Sequence, residues 1–166
     1  AHAIGQSHDR GTVATLKDLY ETVKDVEVRR SVISAVGNSV DEQPAFAFLL
    51  NIAKTDADPE SRRTAVRQLG HFAREDAVDE VMKIYANDTN IEVKRSALRS
   101  LSETKSARAQ ARLMDVARND ANPELRKTAI RVLSERGEAA VDDLLKLFES
   151  EQVPDVKRSV LQSLSD

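Results

Sequence analysis

The chain has 166 residues, 32% charged and 4% aromatic, with no cysteine and a net charge of −3. That length supports one ordinary domain with an aliphatic core, and the lack of cysteine excludes disulfides and thiolate or zinc–thiolate chemistry. The mild acidity carries no electrostatic mark of a nucleic-acid protein, and no apolar run reaches the ~18–20 residues of a membrane span.

In chain order, Ile4-Gly5 and the residues around it align with Leu69-Gly70 and theirs. The first residues therefore read as the tail of a helix whose partner is missing, and the chain as an excerpt of a longer protein. DVEVRRSVISAVG (25–37) follows, then its near-copies DPESRRTAVRQLG (58–70), NIEVKRSALRSLS (90–102), NPELRKTAIRVLS (122–134) and VPDVKRSVLQSLS (153–165). Each opens as a helix should: Asp58 suits the N-cap, Pro59 the first helical position, and an apolar stripe runs on from there. Ahead of the last four copies lie amphipathic segments over 45–56, 78–89, 111–120 and 141–151, with apolar residues at helical spacing, for example Val78, Val81, Met82 and Tyr85. Aligned on Arg30, Arg63, Arg95, Lys127 and Arg158, the copies repeat at steps of 33, 32, 32 and 31 residues. A fixed period in this range marks stacked helix pairs, here called A and B.

The shared pattern is Asp/Asn-Pro-Glu-x-Arg-Arg/Lys-x-Ala-x-x-x-Leu followed by Gly or Ser, carried most fully by 58–70 and 122–134. It resembles the short HEAT-like repeats of the phycobilin-lyase type. The resemblance implies an all-α fold, an α-solenoid of stacked antiparallel helix pairs. It divides one repeat domain over 1–166 into a truncated half-repeat (1–10) and five full repeats (11–38, 43–71, 75–103, 106–136, 138–166). It also implies that the B helices line the concave face of the array.

A helical wheel of the first B helix puts Val28, Val32, Ile33 and Val36 in the core arc. Arg29 falls inside that arc, and its equivalents Arg62, Lys94, Arg126 and Lys157 are all basic. A charge on the buried side needs a partner. Helical side chains lean toward the N-terminus. The expected partners are therefore the turn residues Asp25, Asp56, Asp58, Asp88 and Asp120, in a structural Asp–Arg ladder. A second basic column, Arg30, Arg63, Arg95, Lys127 and Arg158, lies outside the core arc, with Arg67, Arg99 and Arg131 one turn on. These eight form a ridge beside Glu27, Glu60, Glu92, Glu124 and Asp155. The acids favour the first helical turn and can pair with the base three positions on. The ridge is thus either a self-paired solvated face or the docking site of an acidic partner.

Catalytic constellations do not emerge. No two of His2, His8 and His71 lie four residues apart, and Ala3, Asp9 and Phe72 follow them, so the His-Glu iron-ligand pairs of HEAT-like deoxyhypusine hydroxylases are missing. There is no phosphate loop or nucleophile elbow, and Asp142 and Asp143 read as exposed helix-face carboxylates. HEAT-like alkylpurine DNA glycosylases use a basic groove with aromatic residues. Here Tyr20, Tyr85 and Phe148 fall on A helices, which argues against base readout. No catalytic residue, metal or cofactor is expected. The leading expectation is a non-catalytic interaction scaffold for an extended or acidic peptide or protein, as a monomer or in weak end-to-end association. Two alternatives stay open, a regulatory or spacer segment of a larger enzyme and sequence-independent binding of a nucleic-acid backbone.

Overall fold

The computed structural model describes residues 13–39, 42–72 and 74–165. The reading of residues 1–10 as a truncated repeat, together with His2 and His8, lies outside them. The described elements are helices joined by short turns, with no strand among them. They fall into two compact units, divided after Phe72.

The first unit contains α1 (13–22), α2 (Val26–Gly37), α3 (Glu42–Thr55) and α4 (Pro59–His71). The second contains α5 (Ala77–Asn87), α6 (Ile91–Glu103), α7 (Ala107–Asn119) and α8 (Pro123–Ser134), then a 3-10 turn (Gly137–Ala140), α9 (Val141–Ser150) and α10 (Pro154–Ser165). Odd-numbered helices are the A members of each pair and even-numbered ones the B members. Within the second unit α6 packs on α8, and α8 on α10, more extensively than α5 packs on α7 or α7 on α9. The B helices therefore form the tighter side of that stack. Helix pairs stacked in this way make the fold an α-solenoid of HEAT-like type.

Local chemistry explains why each B helix starts where it does. Asp25 accepts from the Val28 amide, Asp58 from Glu60 and Ser61, Asn90 from Glu92 and Val93, and Asn122 from Glu124. Each satisfies N–H groups that a first helical turn leaves without partners. Pro59 and Pro123 sit in the first turn, where a missing N–H costs nothing. Val153 cannot cap α10. The Glu151 carboxylate accepts from the Gln152 and Val153 amides ahead of that helix instead.

The core is the aliphatic stripe of both helix sets. Val36, Leu69, Leu101 and Leu133, one repeat apart, are each at most 1% exposed. Val28 departs from the expectation: it is 43% exposed, although its equivalents Ser61, Val93, Leu125 and Val156 are buried. Among the described residues no B helix precedes α2, and so none covers this position. Gly37 sits where α2 meets α4. A Cβ there would lie 2.2 Å from Gln68 Oε1, so the glycine permits the close approach.

Candidate functional site

The inner basic column is engaged at the turns and rings, with Asp56 among the expected partners and the others different in kind. Arg29 pairs with Asp56 at 2.7 Å, in the turn of the following repeat. Arg126 likewise reaches forward to Glu151 at 3.2 Å, while its Nη1 donates to the Asp120 carbonyl at 2.8 Å. Arg62 donates to the carbonyls of Asp56 and Ala57. Lys94 lies over the Tyr85 ring and Lys157 over the Phe148 ring, 5.2 and 4.7 Å from the centroids, and Arg29 lies 4.3 Å from that of Tyr20. Nine residues before the basic residue, then, the A helix carries either an aromatic ring that receives the cation or an alanine (Ala53, Ala117). Where it is alanine, the arginine extends to the turn carbonyls. Asp25 and Asp58 correct the expected ladder. They are N-caps, two residues beyond the column that does the clamping, and Asp58 comes no nearer than 3.9 Å to Arg30.

That clamping column is Asp56, Asp120 and Glu151, with Asp88 at the same position of its own turn. Asp56, Asp88 and Asp120 each accept the amide two residues on, at 2.8–2.9 Å. The other oxygen of Asp56 receives the Tyr20 hydroxyl, and that of Asp120 receives the Tyr85 hydroxyl. Each bond ties one repeat to the turn of the next. Composition and the wheel did not reveal these bonds. The signal was a tyrosine followed 36 or 35 residues later by an aspartate.

Burial and the facing carboxylate both push the two hydroxyls above the ordinary tyrosine pKa of 10.0, burial being the larger cause. A pKa raised by folding contributes stability that is complete below the unfolded value and lost as pH climbs through the folded one. The chain holds two tyrosines and no tryptophan. Tyrosinate absorbance therefore reports these two clamps alone. It is expected to stay flat past pH 10 and to rise only as helicity collapses by circular dichroism. Ionisation near pH 10 with the helices intact would show that the hydroxyls are not held.

The outer column pairs with its own helix. Arg30 meets Glu27, Arg63 Glu60, Arg95 Glu92, Lys127 Glu124 and Arg158 Asp155, all three residues apart, at 2.5–3.2 Å. Glu124 also lies 3.7 Å from Arg95. The Lys127 hydrogen bond, aided by the charges of Lys127 and Arg95, lowers its pKa below the usual glutamate value.

The column one turn on is different. Arg67, Arg99 and Arg131 are exposed, and among the described residues no hydrogen bond or ion pair engages their guanidinium groups. Three residues before them stand Thr64, Ser96 and Thr128, which carry no charge. Glu103 and Glu135 follow Arg99 and Arg131 by four residues, the weaker order for a helical pair, and do not engage them. In the second unit a cleft of about 340 Å³ opens on the α6–α8–α10 face. Arg95, Arg99, Lys127 and Arg131 line it, with Glu124 as its one carboxylate. The neutral polar side chains of Thr128, Ser134, Ser159, Gln162 and Ser163 complete the wall.

Among the described residues no group of three or more His, Asp or Glu could hold a metal ion, and no helix is long and apolar enough to cross a membrane. His71 is exposed at the end of α4, and the Phe72 ring beside it stacks edge-on against Phe46. Asp142 is exposed, whereas Asp143 is half-buried and accepts from Gln110 at 3.0 Å.

Comparison with known proteins agrees with this geometry. No curated protein matches the chain. A solved structure of the complex of CpcE and CpcF of phycocyanin lyase, from Nostoc sp., contains a similar chain. The two share 19% identity with a TM-score of 0.65, over 93% of this chain and 99% of that one. A sequence model of HEAT repeats matches residues 46–122 and again 80–165. Those two matches span most of the residues, and the chain belongs to the HEAT-repeat family.

Proposed function

We propose that this repeat scaffold is a non-catalytic docking module that holds an acidic peptide or protein segment on its B-helix face. The observation that carries this reading is that Arg67 in the first unit and Arg99 and Arg131 in the second are exposed cations without a partner among the described residues, whereas Arg63, Arg95 and Lys127 one turn before them are paired. Guanidinium groups free of internal partners keep their full donor fork for an incoming carboxylate. The similar chain from Nostoc sp. belongs to a complex of two subunits, a use of the fold in assembly that fits this reading. Pigment chemistry is not carried over with it.

The test compares the parent chain with an Arg67→Glu, Arg99→Glu, Arg131→Glu variant, using labelled polyglutamate as probe. Exposed positions tolerate substitution within ~0.5 kcal/mol each, so the variant should melt much as the parent does. Polyglutamate is expected to bind the parent, weaken steeply with salt and fail to bind the variant. Equal binding to both would remove these arginines from the site. No binding to either would favour a spacer segment.

A further inference from the structure

We infer that the α6–α8–α10 cleft reads two carboxylates three residues apart on a segment in polyproline II conformation. This rests on the docking reading above and gives it a register.

Within the cleft Lys127 and Arg95 are already drawn together on Glu124. The charge left to offer comes from Arg99 and Arg131, at equivalent positions on the adjacent helices α6 and α8. Packed helices stand about 8–10 Å apart, and equivalent residues on neighbouring helices inherit that spacing. A β-strand points residues i and i+2 the same way but separates them by only about 7 Å, and it points i and i+3 to opposite faces. A polyproline II segment has three residues per turn and a rise of about 3.1 Å, so i and i+3 share one face about 9 Å apart. That matches the helix spacing. An α-helix brings i and i+7 to a similar separation, so that spacing is tested beside the spacing of three. A polyproline II backbone makes no internal hydrogen bonds. Ser159 and Ser163, on the α10 wall, supply donors and acceptors for it. Gln162 occupies on α10 the position that Arg99 and Arg131 hold on α6 and α8, so a third side chain, three residues further along, would be polar and uncharged.

The experiment measures fluorescence anisotropy of the full chain with peptides on one proline- and glutamine-rich background. Each peptide carries two glutamates, separated by two, three, four or seven residues. Polyglutamate and an oligothymidylate complete the set. The separation of three is expected to bind about fivefold or more tighter than two or four. The preference should vanish in Arg99→Gln/Arg131→Gln and persist in Arg158→Gln, whose side chain pairs with Asp155 outside the cleft. Equal affinity at all separations overturns the register, and so does a preference for seven, the helical spacing. If polyglutamate still binds in those cases, the docking reading stands without the register. If polyglutamate does not bind either, both fail. Tighter binding of the oligothymidylate than of any peptide would make the cleft a phosphate-backbone site and overturn the inference.

Discussion

Replacing Leu101 with alanine is expected to lower the free energy of unfolding by about 2–5 kcal/mol. The side chain is 1% exposed on α6, with Ala97 and Leu98 buried one turn before it. Its equivalents Leu69 and Leu133 are as deeply buried, so each repeat uses this position as part of its core. Removing three carbons there, two of them methyls, loses their transfer free energy and leaves a cavity that rigid neighbouring helices collapse only in part. In a stacked array each repeat leans on its neighbours, so the loss also weakens the packing of α6 on α8. Leu161→Ala is the control: that side chain is 49% exposed on α10, and its loss should stay within ~0.5 kcal/mol. Urea unfolding followed by circular dichroism reads both. Equal costs for the two variants would take Leu101 out of the core.

The architecture was legible because it rests on period and pattern. The expected B segments 58–70, 90–102 and 122–134 became helices Pro59–His71, Ile91–Glu103 and Pro123–Ser134, each beginning one residue later, after the residue that serves as cap. The A helices were read less well at their starts. The segment expected from 111 begins at Ala107, because its first turn, Ala-Arg-Ala-Gln, carries no large apolar side chain and the Ser106 cap, not an apolar stripe, sets it. Which acid meets which base was not legible. A wheel gives the angle at which Arg29 leaves its helix, but not whether its long side chain ends on its own turn or on the next. Asp56 and Asp58 differ by two residues, yet the first clamps repeats and the second caps a helix. The two kinds of ridge cation were separable in principle. Glutamate or aspartate stands three positions before Arg63, Arg95 and Arg158, and only threonine or serine before Arg67, Arg99 and Arg131.

The Arg126–Glu151 clamp carries the second large effect. Both side chains are 10% exposed, and Arg126 adds a hydrogen bond of 2.8 Å to the Asp120 carbonyl. Arg126→Met keeps most of the packing but leaves the Glu151 carboxylate without its cation. The expected cost is about 3 kcal/mol, at the low end for breaking a buried pair because both groups touch water at their edges. Glu151→Gln in the same chain keeps an oxygen for the Gln152 and Val153 amides and removes the orphaned charge. The double variant should therefore be more stable than Arg126→Met alone. Acid gives the sharper distinction. Burial pushes the Glu151 pKa up, but the Val153 amide and Arg126 together outweigh it, so the folded value lies below the usual 4.5. Such a group contributes stability that is complete above its unfolded pKa and lost as pH falls through the folded one. Without Arg126 the folded pKa rises, and that contribution is diminished from the start. The stability gap between parent and Arg126→Met should accordingly be widest near neutrality and close as pH falls below about 4.5. A gap that stays constant across that range would mean that the arginine stabilises the turn by packing and by its carbonyl bond, with its charge contributing nothing.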